Sequence, residues 1–266
     1  MAKPENLLTS ISASGILTVS VNRPTKMNAL NIETLRELEQ CFQEAAQNEH
    51  IRAILVTGAG EKAFVAGADI VEIATLTSHN SRGFVERGQA VFRLIEESRK
   101  PVVAAVNGFA LGGGCELAMA CHLRVGSDKA VFGLPEVSLG ITPGYGGTQR
   151  LAQIVGKGKA LEIMMTGDFV KAEEAYRISL LNMLVPVEQL LPRCYELLDR
   201  ILSRAPVAVA MVLRAVDAFY THPAGFATEV DGFVTCCETT DFLEGTTAFL
   251  EKRKPSFTGA MPTAGA

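Results

Sequence analysis

The chain has 266 residues, 25 basic and 29 acidic side chains for a net charge of −4, and a hydrophobic content of 48%. A chain of this length buries about 70–75% of its unfolded surface, which supports a sizeable core and excludes disorder as the main state. The acidic balance argues against nucleic-acid binding through a broad basic surface, and six irregularly spaced cysteines without a CxxC exclude a disulfide framework.

In chain order, Leu7–Ile11 and Ile16–Val21 flank Ser-Ala-Ser-Gly and predict a β-hairpin. Asn22-Arg23-Pro24 breaks the chain, and Asn31 is placed to cap a helix on which Ile32, Leu35, Leu38, Phe42 and Ala45 recur. Ala53–Thr57 reads as a buried strand ending in Gly58-Ala59-Gly60. Phe64–Ile70 reads as irregular, a charged helix is expected from about Ser81 to Ser98, and Pro101–Val106 is another buried strand. Strands alternating with helices imply an α/β body with parallel strands, since parallel neighbours need crossover connections. Beyond about residue 200 strand signals cease. Val207–Tyr220, Ala224–Thr239 and Asp241–Arg253 read as helices, the last starting on the capping-box-like Asp241-x-x-Glu244.

No stretch is long and apolar enough to span a bilayer; Pro101–Cys115 is broken by Asn107 and several glycines. The first residues lack the apolar core of a signal peptide, and the acidic Glu5 with no arginine before Arg23 argues against a transit peptide. A cytoplasmic protein with reduced thiols is therefore expected. The four histidines make no zinc spacing.

The densest glycine cluster, Gly112-Gly113-Gly114, stands between a strand and the helical Leu117–Ala120. Glycines at such a junction let a ligand approach the backbone, where free N–H groups can be aimed at it; tight helix–strand packing would use them equally well. GxGxxG, P-loop and GxSxG motifs are absent. Glu116 follows in the first helical turn and Glu136 ends the later run Val131–Pro135. Taken singly, these are a dipole partner and a solvated loop residue. Brought to one apolar cleft, two carboxylates would shift each other's protonation and supply an acid and a base.

The runs Lys62-Ala63-Phe64-Val65-Ala66-Gly67-Ala68-Asp69-Ile70, Asn107-Gly108-Phe109-Ala110-Leu111-Gly112-Gly113-Gly114-Cys115-Glu116, Phe132-Gly133-Leu134-Pro135-Glu136 and Pro143-Gly144-Tyr145-Gly146-Gly147-Thr148-Gln149-Arg150-Leu151 resemble the enoyl-CoA hydratase/isomerase (crotonase) family. Asn22-Arg23-Pro24, Asn28-Ala29-Leu30, Thr166-Gly167-Asp168 and Ala248–Arg253 extend the resemblance nearly end to end. It implies a crotonase-like spiral of ββα units over residues 1–200, holding the CoA and catalytic sites. Residues 201–266 would be a C-terminal helical region that assembles a homotrimer or homohexamer.

By the same resemblance, the substrate is an acyl-CoA thioester whose oxygen accepts from the backbone N–H groups of Ala68 and Gly113. The two-glutamate enoyl-CoA hydratases are the nearest group, with Glu116 and Glu136 as the catalytic pair. Lys26, Ala29, Ala66, Asp69, Ile70 and Gly144 are expected to bind substrate and CoA, with Phe249 and Lys252 contributed by a neighbouring subunit. No metal or cofactor beyond the CoA of the substrate is implied, and neither a nucleic acid nor a membrane is an expected partner. The rival readings are an enoyl-CoA isomerase, a hydratase of a branched or cyclic thioester, and an RNA-binding homologue. Tyr145 is bulkier than the small residue often found at its place and is read either as trimming the acyl pocket or as lying on the surface.

Overall fold

The computed structural model describes residues 4–77, 79–221 and 239–260. The chain divides into two compact units, residues 1–98 with 102–195, and residues 99–101 with 196–266.

The first unit opens with the expected hairpin, β1 (Leu7–Ile11) and β2 (Ile16–Val21), paired antiparallel with Leu7 opposite Val21. Helix α1 (Ile32–Gln47) starts where Asn31 Oδ1 accepts the Thr34 N–H at 2.8 Å. Leu35, Leu38, Phe42 and Ala45 face the core. Ile32, expected on that stripe, is exposed instead. As the first helical residue it precedes the packed face, and its N–H is taken by the Glu72 carboxylate at 2.9 Å.

Then a three-part unit recurs. β3 (Ala53–Gly58) is followed by β4 (Ala63–Ala66), the short helix α2 (Ile70–Ile73) and α3 (Ser81–Glu96). β5 (Val102–Val106) and β6 (Phe109–Leu111) precede α4 (Gly113–Ala120). β7 (Leu123–Ser127) and β8 (Val131–Gly133) precede α5 (Gly147–Val155) and α6 (Lys157–Thr166). In each case the first strand joins one sheet and the second joins another. With β9 (Val170–Lys171), α7 (Ala172–Arg177) and β10 (Met183–Val185), the sheets run β1-β2-β3-β5-β7-β10 and β4-β6-β8-β9. The neighbours from β2 to β10 are parallel, as are β4, β6 and β8. This is the expected ββα spiral.

The expectation that Phe64–Ile70 is irregular is corrected by β4 and α2. The partner that makes β4 a strand, β6, lies far along the chain and leaves no local signal. α8 (Leu190–Leu202) carries the chain across the division at residue 195. In the second unit, α9 covers Pro206–Thr221 and a further helix covers Thr240–Glu251. Apart from Thr239, the expected helix Ala224–Thr239 lies outside the described residues, as do Cys236 and Cys237. The capping box at Asp241 does not form. Asp241 sits within the helix and accepts the N–H groups of Thr258 and Gly259, while Glu244 pairs with Arg253 and accepts the Ser256 N–H. The tail folds back on these carboxylates and supplies the donors that a helix end would otherwise have given. Among the described residues no helix is long and apolar enough to cross a membrane.

Candidate active site

The first wall is stitched together from segments distant in sequence. Met27 and Asn28 both adopt left-handed backbone, at φ 51° and 60°, and turn the chain back after Pro24. The buried Asn28 amide holds this turn, donating to the carbonyls of Ala59 and Ala63 and accepting the Arg23 N–H. Leu30 then donates to Gly67 O at 2.8 Å and accepts the Asp69 N–H at 2.7 Å. These bonds bracket Ala68, whose own N–H donates to no described residue.

The second wall is the start of α4. The glycine cluster stands at the expected strand-to-helix junction. Gly112 is the cap, at φ 49°, and Gly113 and Gly114 form the first turn of a helix buried along its length. A Cβ on Gly112 would come within 2.9 Å of Glu136 Oε1, and one on Gly114 would strike the Val65 carbonyl. One built on Gly113 would stand 3.5 Å from Ala68 N, so the two backbones face each other across a side chain's width. The Gly113 N–H, an orphan of the helix terminus, likewise donates to no described residue. Two free N–H groups, one at the positive end of a helix, thus border the same space.

Glu116, on the first turn of α4, is only 2% exposed. Its Oε1 accepts the N–H groups of Tyr145 at 2.8 Å and Gly147 at 2.7 Å. Burial pushes its carboxyl up to about 7 and the nearby Glu136 adds to the rise; the two N–H donors and Arg150 pull the other way. Glu136, on a 3-10 turn covering Glu136–Leu139, is 9% exposed, and burial raises it too. Its Oε2 has no protein partner. Arg150 anchors the loop that reaches Glu116, donating to the Tyr145 carbonyl at 2.9 Å and gripping both oxygens of Glu96 at 2.9 and 2.7 Å.

Ala68, Gly113, Glu116 and Glu136 all line one cavity of about 700 Å³. Its remaining walls are mostly apolar, among them Ile70, Phe84, Leu139 and Tyr145. Such a space, bordered by two raised carboxylates and two aimed N–H groups, can stabilise a developing oxyanion while moving protons. Tyr145 is not a surface residue: it is 3% exposed, with its ring against Phe84 and Phe92. No group of three or more metal-binding side chains occurs among the described residues. Burial pushes the thiols of Cys121 and Cys194 up to about 12 and that of Cys115 higher still, which leaves them protonated and poor nucleophiles.

The enoyl-CoA hydratase/isomerase family profile matches residues 12–260. The chain belongs to that family. It is 48% identical to a crotonyl-CoA hydratase of Syntrophomonas wolfei over 89% of this chain and 92% of that one. It is also 46% identical to a short-chain-enoyl-CoA hydratase of Clostridium acetobutylicum, over 90% of this chain and 92% of that one. The crystal structure of an enoyl-CoA hydratase from Bacillus anthracis superposes with a TM-score of 0.92 at 36% identity, covering 96% of this chain and all of that one.

Set on this crotonase fold, the residues singled out from sequence separate into groups. Ala66, Ala68, Ile70, Gly113, Glu116, Glu136 and Gly144 line the cavity. Lys26, Ala29 and Asp69 do not, though they stand on the segments stitched to it. Lys26 is exposed. The Asp69 carboxylate is already engaged, capping α2 through the Val71 N–H and pairing with Arg23 at 2.9 Å, which holds it below its usual value. Phe249 and Lys252 belong to the second unit. Lys252 is exposed at φ 56°, and the Phe249 side chain is outside those described. Sequence reasoning missed Arg150 and Glu96 as the loop's anchor. The only available signal was an arginine on a short amphipathic helix, which ordinarily points to solvent.

Proposed function

We propose that this protein is an enoyl-CoA hydratase, a hydro-lyase that reversibly adds water in syn fashion to a 2-trans-enoyl-CoA and gives the 3-hydroxyacyl-CoA. The observation that carries the reading is the meeting of Glu116, Glu136 and the unpaired N–H groups of Ala68 and Gly113 on one cavity. The thioester oxygen accepts from the two N–H groups, which bear the negative charge that develops there as water adds to Cβ. Donors fixed before reaction need no reorganisation, and one such donor is worth roughly 10²–10³ in rate.

Glu116, its carboxylate fixed by the two N–H groups on Oε1, orients the attacking water and takes its proton. Glu136, buried and with Oε2 unpartnered, delivers a proton to Cα. The cycle starts with one proton on the pair, whose titrations are linked. After addition Glu116 holds a proton and Glu136 has lost one, and exchange through solvent resets them. The atoms balance with water alone, so the reaction calls for no redox carrier.

Ala66, Ile70 and Gly144 fit the walls around the thioester, and exposed Lys26 suits the phosphates of CoA. The contributions of Phe249 and Lys252, and assembly into a trimer or hexamer through residues 201–266, rest on the family resemblance. The deciding assay mixes purified protein with crotonyl-CoA and follows loss of the conjugated-thioester absorbance together with product mass. A gain of one water is the expected result. A product of unchanged mass with a shifted double bond would replace hydration by isomerisation.

A further inference from the structure

We propose that the Tyr145 ring is the end wall of the acyl site and makes this protein selective for short acyl chains. This inference rests on the hydratase reading and adds the residue that sets substrate length. The ring is wedged between two helices at positions where both carry glycine. A Cβ on Gly88 of α3 would drive into one edge of the ring, and a Cβ on Gly113 of α4 would stand 3.3 Å from Cδ2 and 3.5 Å from Cε2 on the other. Phe92 packs against it edge-on with ring centroids 5.5 Å apart, and Phe84, which also lines the cavity, lies at 5.7 Å. The ring cannot retreat into α3, because the notch at Gly88 is already filled.

Its position relative to the chemistry decides what it does. One ring edge borders Gly113, whose N–H faces the thioester oxygen, and the Tyr145 N–H holds the Oε1 of Glu116. An acyl chain laid from the thioester along this side of the cavity would meet the aromatic ring. The hydroxyl is buried without a protein partner, so the ring's place is set by shape and packing rather than by a hydrogen bond. Each methylene that an apolar site can bury contributes up to about fourfold in affinity, so a wall that excludes even two or three leaves a clear length dependence.

The test is kcat/KM for trans-2-enoyl-CoA thioesters of 4, 6, 8 and 10 carbons, measured for the wild type, Tyr145→Ala, Tyr145→Phe and Gly88→Ala. The expected wild-type profile falls by at least tenfold from 4 to 8 carbons. Tyr145→Ala should raise the ratio of the 8-carbon to the 4-carbon substrate at least tenfold, and Tyr145→Phe should leave that ratio within threefold of wild type. Gly88→Ala pushes the ring into the cavity, so it should lower the 6-carbon to 4-carbon ratio, and this variant keeps the test alive if Tyr145→Ala fails to fold. A flat wild-type profile overturns the wall while hydration stands, as does an unchanged ratio in both Tyr145→Ala and Gly88→Ala. A wild type that hydrates none of the series overturns the hydratase reading and this inference with it.

Discussion

Glu116 and Glu136 face one cavity and are buried to a similar degree, yet the chain holds them in opposite ways. Glu116 projects from a buried helix, and two backbone N–H groups of a distant loop fasten one of its oxygens. Glu136 stands on a single 3-10 turn and keeps an oxygen without any protein donor. Burial alone would raise both. The N–H donors and Arg150 lower Glu116 against that rise, whereas Glu136 has only its own backbone N–H in opposition. Identical side chains thus sit in different settings, although burial dominates in both and pushes Glu116 up to about 7 despite its N–H donors.

The largest expected effect is on turnover. Glu116→Gln and Glu136→Gln should each lower kcat by roughly 10²–10⁴, the usual worth of a positioned acid or base, with CoA affinity little changed. Either variant retaining hydration within tenfold of wild type would break the assignment of paired roles.

Next is the cost of burying Glu116. Its folded value of about 7 lies above the ordinary 4.5, so the folded state binds this proton more tightly than the unfolded state. Folding stability therefore falls as pH rises from 4.5 through 7, by up to about 3 kcal/mol for a shift of this size. Glu116→Gln, whose amide oxygen can still accept both N–H groups, should match wild type near pH 4.5 and exceed it above pH 7. Denaturant midpoints at a series of pH values read this directly, and a constant difference would remove burial as the cause.

A smaller effect is expected from Arg150→Met. Loss of the guanidinium frees the Tyr145 carbonyl and removes a charge that lowers Glu116. kcat/KM should drop about tenfold, and the limb of its pH profile that reports the base should move to higher pH. An unmoved profile would make Arg150 a support of the fold alone. The smallest effect belongs to Tyr145→Phe, which deletes a buried hydroxyl with no protein partner. Its unfolding free energy should equal that of the wild type or exceed it by up to about 1 kcal/mol.

The hairpin, the Asn31-capped helix and the buried strands β3 and β5 were all legible along the chain, because each depends on neighbours within a few residues. β4 was not, since its pairing with β6 is a long-range contact. The ordered motifs around Ala68, Gly113, Glu116 and Glu136 were enough to indicate the family. Tyr145 remained ambiguous, for nothing near it in sequence reveals that Gly88, Phe84 and Phe92 enclose its ring.

Residue order alone established which groups are present and which short segments are strand or helix, because hydrogen bonding, capping and periodicity act locally. Only the spiral decided that the Ala68 backbone faces Gly113, that the loop before α5 reaches Glu116, and that Tyr145 lines the cavity. Those relations come from separate ββα turns stacked against one another, and burial between them, absent from any single segment, is what raises both carboxylates.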